Sequence, residues 1–272
     1  MKKLLPQLAL LIGSFLVIWF LLSKIDWIKI LKLEEKSDRM EEKLGELLWS
    51  TIESQQVIIK DTSAINPIEQ IKERLCESNQ INPSTINIHL IKSDEINAFA
   101  MPGNHIIINT GLINEAGSVP ELAGVIAHEL AHIQKGHVIQ KLIREVGLTI
   151  LLSAAGGKAG GQVALQILKH LSSSAYDRNM EREADRWAIT YLSNAGINPK
   201  ALANFFERLE NNKSAIEIPY WISSHPELED RIRDVKKEAE LKTFVAKPLL
   251  TKEDWENLKK ICKPSEVGGL TE

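Results

Sequence analysis

The stretch His128-Glu129-Leu130-Ala131-His132 decides most of what this 272-residue sequence says about its fold and chemistry. It follows the apolar run 122–127 inside a helical pattern that extends from Pro120 to about Val146. At about 100° per residue, histidines four positions apart lie on one helix face, about 40° from each other. Both imidazoles can therefore reach one tetrahedral Zn²⁺ ion, with Glu129 beside them as the base for a bound water. In an apolar helix, these buried polar groups would otherwise lack partners.

The start of this helix carries its own signature. Ser118 is a predicted N-cap, and Pro120 falls in the first turn, where a missing N–H costs nothing. Glu121 follows three residues after Ser118, the spacing of a capping box.

A catalytic zinc site takes three protein ligands and leaves one position for water. His137 is about 140° round the helix from His132, so we expect it to face away from the metal as an ordinary surface or core histidine. Further along, Glu181 and Asp185 lie four residues apart on a second predicted helix and share one face. One carboxylate can ligate the metal while the other accepts a hydrogen bond from a ligand histidine.

These residues resemble the gluzincin metallopeptidases. More narrowly, they resemble the family that contains the CAAX prenyl endopeptidases, the HtpX heat-shock proteases, the mitochondrial OMA-type protease and the periplasmic BepA-like proteases. The resemblance covers about residues 66–240. Besides the residues above, it rests on Asn97–Gly103 followed by Ile106–Leu112, on Arg178–Arg186, and on Ser224-His225-Pro226 followed by Arg231.

The resemblance implies that His128, His132 and Glu181 bind one Zn²⁺ per chain. It also implies that Glu129 is the general base and that Asp185 orients a ligand histidine. Glu183 is a competing ligand, but it lies two residues before Asp185 and so faces another side of the helix.

The resemblance further implies an edge strand that pairs with an extended substrate through backbone hydrogen bonds. Its residues are Asn97, Ala98, Phe99, Ala100 and Met101. One departure from the family pattern follows this strand. Asn104-His105 stands where many members have a second glycine, which affects the turn but not the metal.

His225 supports two interpretations. As a catalytic residue opposite the metal, it would stabilise the oxyanion or occupy the fourth coordination site in a closed state. The alternative is a histidine that precedes Pro226 at the start of a helix.

The remaining pattern predicts an α+β fold, a mainly helical zincin-type metallopeptidase domain with a small β-meander. Three β-like segments occupy 86–91, 98–101 and 105–109, and Pro102-Gly103-Asn104 is the predicted turn between the last two. Residues 147–161 are apolar and contain five glycines. They are compatible with a mobile loop near the active site, which we favour, or with a second membrane span. Helices are predicted at 25–60, from Pro67 to before Asn79, and at 120–146, 162–173, 178–194, 199–211, 226–241 and 251–261.

The N-terminus is the compositional exception. Residues 4–22 contain no charged side chain and follow Lys2 and Lys3. About 19 residues at about 1.5 Å each approach the thickness of the bilayer core. Because no small-residue cleavage site follows, we expect an uncleaved transmembrane signal anchor. A short basic N-terminus favours a single-pass protein whose catalytic domain lies on the periplasmic or extracytoplasmic side.

The whole sequence therefore divides into four predicted parts. These are the anchor at 1–24, an amphipathic helical linker at 25–65, a zinc metallopeptidase domain at 66–245 and a C-terminal helix and tail at 246–272. Cys76 and Cys262 are either free buried thiols or one disulfide. A net charge of −3 and the lack of a basic tract exclude nucleic acid as a predicted partner.

Two classes of function follow. The first is a membrane-anchored zinc endopeptidase that acts on polypeptide substrates, misfolded or membrane-proximal proteins, in quality control. The second is a chaperone or adaptor of the protease fold with little proteolysis. The intact motif favours the enzyme, because a structural role does not need the base Glu129.

Overall fold

The structure is a computed structural model that describes residues 33–157, 160–211 and 220–264. By its internal packing the chain divides into the units Met1–Met40 and Glu41–Glu272. The predicted anchor at 4–22 lies outside the described residues. Among the helices that are described, none combines the length and the hydropathy needed to cross a bilayer.

The sheet has three strands, β1 (Asn87–Ile91), β2 (Ala98–Met101) and β3 (His105–Asn109). Their order is β1-β3-β2, with β1 parallel and β2 antiparallel to β3. The predicted meander is therefore wrong, because a meander would place β1 beside β2. The run Ile106–Ile108 explains the difference. All of β3 is buried, and a strand covered on both faces has an uninterrupted apolar run.

The predicted hairpin turn between β2 and β3 is confirmed. Gly103 has φ 75° and Asn104 has φ 60°, so both adopt the left-handed backbone of a tight hairpin. Asparagine tolerates this conformation better than most other side chains, so Asn104 can occupy the turn although it is not a glycine.

Helices make up most of the described chain and confirm the mainly helical prediction. A short 3₁₀ turn, Pro83–Thr85, precedes β1. In chain order the helices are α1 (Leu33–Gln55), α2 (Thr62–Ser78), α3 (Thr110–Glu115), α4 (Val119–Gln134), α5 (His137–Glu145), α6 (Leu148–Ala155), α7 (Gly161–Ser173), α8 (Arg178–Asn194), α9 (Ala201–Asn211), α10 (Tyr220–Ser224), α11 (Leu228–Glu240) and α12 (Lys252–Cys262).

Three predicted helix boundaries are wrong. The helix predicted at 25–60 ends at Gln55, and Ile58 forms a β-bridge with Ile91. Helix α2 begins at Thr62, where the carboxylate of Asp61 accepts the N–H of Ser63 at 2.8 Å, so Pro67 lies inside the helix. The predicted 120–146 helix is two helices, α4 and α5. Gly136 separates them with φ 65°, a conformation that ends a helix.

The glycine-rich stretch is also more regular than predicted. Residues 148–155 form α6 instead of a loop, and a helix of this length spans about 12 Å, far less than a bilayer core. The described part of the stretch therefore contains no membrane span.

The predicted capping box at the start of α4 does not form. Ser118 is the N-cap residue, but its side chain makes no cap bond to the helix backbone. Instead the Glu121 carboxylate accepts the N–H of Gly117 at 2.8 Å and the hydroxyl of Ser118 at 3.2 Å. Arg208 of α9 pairs with the same carboxylate at 3.0 Å, which is why Glu121 turns toward its neighbours.

Helix α4 is the central element of the fold, and it is buried continuously from Glu121 to His132. Helices α8 and α9 pack against it. A Cβ at Gly124 would come within 3.1 Å of the Leu202 backbone, so this glycine permits the close approach of α9. Helices α4 and α8, which carry the predicted metal ligands, are thereby fixed side by side in the core.

The cysteines are separate, buried thiols. Burial raises the pKa of Cys76 to about 11 and that of Cys262 to about 12. Neither is reactive as a thiolate near neutral pH.

Candidate metal centre

Helices α4 and α8 bring the three predicted metal ligands together. His128 and His132 lie one turn apart on α4, and their Nε2 atoms are 3.0 Å from each other. Glu181 belongs to the first turn of α8, and its carboxylate lies 3.6 Å from His128 Nε2 and 3.3 Å from His132 Nε2. All three side chains are buried.

His225 joins this group from the segment after α10. Its Nδ1 atom is 2.9 Å from Glu181 Oε1 and 3.3 Å from His128 Nε2. One ligand atom from each of His128, His132, Glu181 and His225 lies within 4.8 Å of the others. These four residues are called the metal group below. His225 therefore lies beside the predicted metal ligands, where its interpretation as a residue opposite the metal requires it.

The donor set fits a tetrahedral Zn²⁺ ion. With bonds of about 2.0–2.1 Å, neighbouring ligand atoms on such an ion are about 3.3–3.4 Å apart. Five of the six separations among these groups lie between 2.9 and 3.6 Å. Without a cation, His128 Nε2 and His132 Nε2 would face each other across 3.0 Å with at most one proton to share. Nitrogen and carboxylate donors that converge in a buried site are the arrangement a metal ion stabilises.

A layer of charged groups supports these side chains from behind. Asp185 lies one turn after Glu181, and its Oδ1 is 3.1 Å from Nδ1 of His128, which directs Nε2 toward the metal group. Arg231 of α11 donates two hydrogen bonds to Asp185, at 2.8 and 2.7 Å. Its remaining Nη1 lies 2.6 Å from Glu181 Oε2.

Arg231 and the neighbouring histidines keep the carboxyl groups of Asp185 and Glu181 ionised. Burial alone would raise the pKa of Asp185, but Arg231 and His128 outweigh it and hold this pKa below its ordinary value. Burial likewise opposes ionisation of Glu181, but His225 and Arg231 hold its pKa well below the ordinary value. Both groups are therefore carboxylates at neutral pH, as a metal ligand and its supporting acceptor must be.

The prediction that His137 faces away from the metal is wrong. Its Nδ1 shares a hydrogen bond of 3.1 Å with Nδ1 of His132, which leaves Nε2 of His132 directed at the metal group. The prediction assumed one continuous helix, whereas the break at Gly136 turns His137 back toward α4. Glu183 lies 3.6 Å from His137, half-exposed and outside the metal group.

Glu129 lies between the metal group and the sheet. Its Oε2 accepts the N–H of Ala100 at 3.0 Å, and its Oε1 is 3.4 Å from His225 Nε2. Burial raises the pKa of Glu129 to about 7, against the opposing effect of His128. A carboxyl with a pKa near neutrality is suited to exchange protons during a reaction.

Strand β2 borders the site with a free edge. Asn97 O accepts from Asn109 N on the β3 side, so in an antiparallel pair the polar groups of Ala98 and Ala100 point away from β3. The bond from Ala100 to Glu129 agrees with this orientation. Phe99 and Met101 pack into the core. The predicted Asn97–Met101 segment thus presents backbone groups beside the metal site.

Two aromatic rings pack against His132 and His225, and the sequence did not predict them. Tyr176 stacks on His132 with ring centroids 3.9 Å apart, and Trp221 stacks on His225 at 4.5 Å. Both rings are buried, and Lys141 of α5 lies 4.1 Å above the centre of the Tyr176 ring. Their distances from the motif along the chain carry no signal. Among the supporting residues, Arg231 alone was indicated by the sequence, through its position shortly after His225.

Comparison with known proteins agrees with this geometry. Residues 64–239 match the family described as Peptidase family M48. Over 211 residues the chain is 30% identical to a candidate beta-barrel assembly-enhancing protease of Vibrio cholerae, covering 72% of this chain and 43% of that protein. The metalloendopeptidase OMA1, mitochondrial, of Bos taurus is 26% identical over 73% of this chain and 42% of its own length. The beta-barrel assembly-enhancing protease of Escherichia coli K12 is 26% identical over 73% and 44%. The chain spans less than half the length of these relatives.

Proposed function

Because the chain belongs to peptidase family M48, we propose that it is a zinc-dependent endopeptidase that hydrolyses peptide bonds in misfolded or membrane-proximal proteins. One observation carries the proposal. His128, His132 and Glu181 converge in a buried group with Glu129 directly beside it. A structural metal site has no need of a buried carboxylate with a raised pKa at its border.

His128, His132 and Glu181 would hold the ion. When bound, Zn²⁺ polarises a carbonyl and lowers the pKa of a coordinated water to about 7. Glu129 then accepts a proton from the attacking water and returns it to the leaving amine.

Asp185 and Arg231 would act on the ligands and not on the substrate. Asp185 holds the imidazole of His128 through Nδ1, and Arg231 fixes Asp185 by donating one hydrogen bond to each of its carboxylate oxygens. Arg231 also donates to the carbonyl of His225 at 3.3 Å. One buried cation thereby links three elements of the site.

Substrate would bind as an added strand along β2. An extended chain can pair with the outward backbone groups of Ala98 and with the carbonyl of Ala100, whose N–H is donated to Glu129, and so bring its scissile carbonyl beside Glu129. The bond from Ala100 N–H to Glu129 shows that this edge lies within hydrogen-bond reach of the base.

His225 would close the site at rest. Its Nδ1 lies among the ligand atoms, so it would be a fourth ligand in this conformation and would have to leave before water and substrate enter. After such a movement its imidazole remains near the reacting carbonyl and can stabilise the oxyanion.

The substrate class rests on the relatives and on the sequence. Two are named for beta-barrel assembly and one as a mitochondrial metalloendopeptidase. Together with the anchor predicted at 1–24 and the peptidase domain at 66–245, these names support a role in membrane-protein quality control. They also support an extracytoplasmic location of the domain.

The test is hydrolysis of unfolded casein by the full chain, with and without a chelator. We expect Glu129→Gln to abolish hydrolysis while zinc remains bound, because the substitution removes the base but no ligand. Glu183→Gln is the matched control, since this carboxylate is half-exposed and outside the metal group. If wild-type chain with zinc bound leaves casein intact, the adaptor function replaces the enzyme.

A further inference from the structure

A cluster of exposed apolar side chains lies on α5, α6 and α7, away from the ligand residues. Each has between 39% and 53% of its surface exposed. The cluster consists of Ile143, Leu148, Ile150, Leu152 and Leu165. Scattered single residues would need no explanation, but a group concentrated in three successive helices marks an interaction surface.

Helix α6 is the centre of this surface and carries no charged side chain. Leu148 and Leu152 lie about 40° apart round the helix, and Ile150 lies roughly 160° from Leu152. Thr149 and Ser153 lie between them on the outer side, and the buried Leu151 and Ala154 lie on the inner side. An uncharged helix thus exposes three large apolar side chains at the surface.

The inner side of α6 fixes this orientation. Leu151 and Ala154 belong to the same core cluster as Leu142 of α5 and Ile167 of α7. Because these contacts are already made, α6 cannot bury its outer residues by rotating without exposing the inner ones. The outer apolar surface therefore needs an external partner.

The charge of the surrounding sequence indicates which partner. No aspartate or glutamate occurs between Val146 and Tyr176, although the chain contains 36 acidic residues among 272. The exposed charged residue of α7 is Lys169. An apolar helix in a segment without negative charge is suited to a bilayer surface that contains anionic lipids.

We propose that α6 and the adjoining faces of α5 and α7 dock onto a lipid bilayer that contains anionic lipids, with α6 lying in the interfacial plane. The predicted anchor at 4–22 would hold the same chain at that bilayer. None of the residues of this surface belongs to the metal group, and Leu165 borders the cavity beside Asn97 and Phe99 of the proposed substrate strand. Zinc binding and lipid binding can therefore be measured independently.

The experiment places a polarity-sensitive fluorophore at Ile150→Cys in the full chain, reconstituted into vesicles of equal parts phosphatidylcholine and phosphatidylglycerol. Cys76 and Cys262 stay unlabelled in the folded protein, because both are buried and their pKa values are raised. The control is the same label at Leu241→Cys, an exposed position after α11. The emission of this control label shows the effect of holding the chain at the vesicle without contact between the label and lipid.

The proposal predicts a blue-shifted, severalfold brighter label at position 150, which nitroxide-labelled lipid quenches. The label at 241 stays water-like. Adding Leu148→Ser and Leu152→Ser should return the label at 150 toward the emission seen at 241, and pure phosphatidylcholine should weaken the effect.

Three outcomes would overturn the proposal. One is water-like emission at 150 in vesicles, and another is equal quenching at 150 and 241. The third is a blue shift in detergent that grows with protein concentration, which would assign the surface to a second copy of the chain. Zinc content and the circular dichroism spectrum of each labelled variant show that it is folded.

Discussion

Replacement of Arg231 tests whether a buried cation stabilises the carboxylates of Asp185 and Glu181. Its guanidinium is buried, bonds twice to Asp185 and lies 2.6 Å from Glu181, so Arg231→Met leaves two buried carboxylates without their cation. Removal of one partner from a buried ion pair costs about 3–5 kcal/mol. For a chain of this size, that loss lowers the unfolding temperature by about 6–20 °C.

The assay is urea and thermal unfolding of the chain, first without metal and then with zinc. The loss should be larger without metal, because a bound cation supplies positive charge beside Glu181. Arg231→Lys should lose less than Arg231→Met, because it keeps the charge but not the paired hydrogen bonds.

Arg208→Met is the matched control. Arg208 also pairs with a buried carboxylate, Glu121, but its own side chain is 41% exposed, so we expect a loss of roughly 1 kcal/mol or less. If Arg231→Met unfolds within error of Arg208→Met, the buried-cation argument for the site is refuted.

Two further predictions concern the packing around the sheet. A Cβ at Gly45 would lie 2.3 Å from the carbonyl oxygen of Pro102, so Gly45→Ala should destabilise the chain by about 1–3 kcal/mol in urea unfolding. Gly160→Ala, which has open space, should change stability by less than about 1 kcal/mol, and equal effects would contradict the packing. Burial and the neighbouring His105 lower the pKa of His89 to about 4, below its unfolded value of about 6.5. Stability should therefore fall as the pH drops from about 6.5 toward 4, and His89→Gln should flatten this part of a urea-midpoint series; an unchanged slope would exclude His89 as the cause.

The sequence could supply the parts of the site that depend on local spacing. Four-residue separations put His128 with His132, and Glu181 with Asp185, on single helix faces, and the structure brings both pairs together. Helix α8 has the predicted bounds because Asp177 caps its start and Asn194-Ala195-Gly196 ends it.

Features that depend on long-range packing were not predictable in this way. The parallel pairing of β1 with β3 is set by which edge of β3 remains free after the hairpin forms. The place of His137 depends on one left-handed residue, Gly136, and a periodic extrapolation passes over it. Arg231 acquires its role only when α11 packs beside α8.

The zinc content of the purified full chain, wild type against Glu181→Ala with Glu129→Gln as the control, tests the metal site directly. We expect one zinc per wild-type chain, the same in Glu129→Gln, and a large loss in Glu181→Ala, because only the last removes a ligand. A wild-type chain that holds no zinc, or a Glu181→Ala chain that holds as much as the wild type, would contradict this expectation.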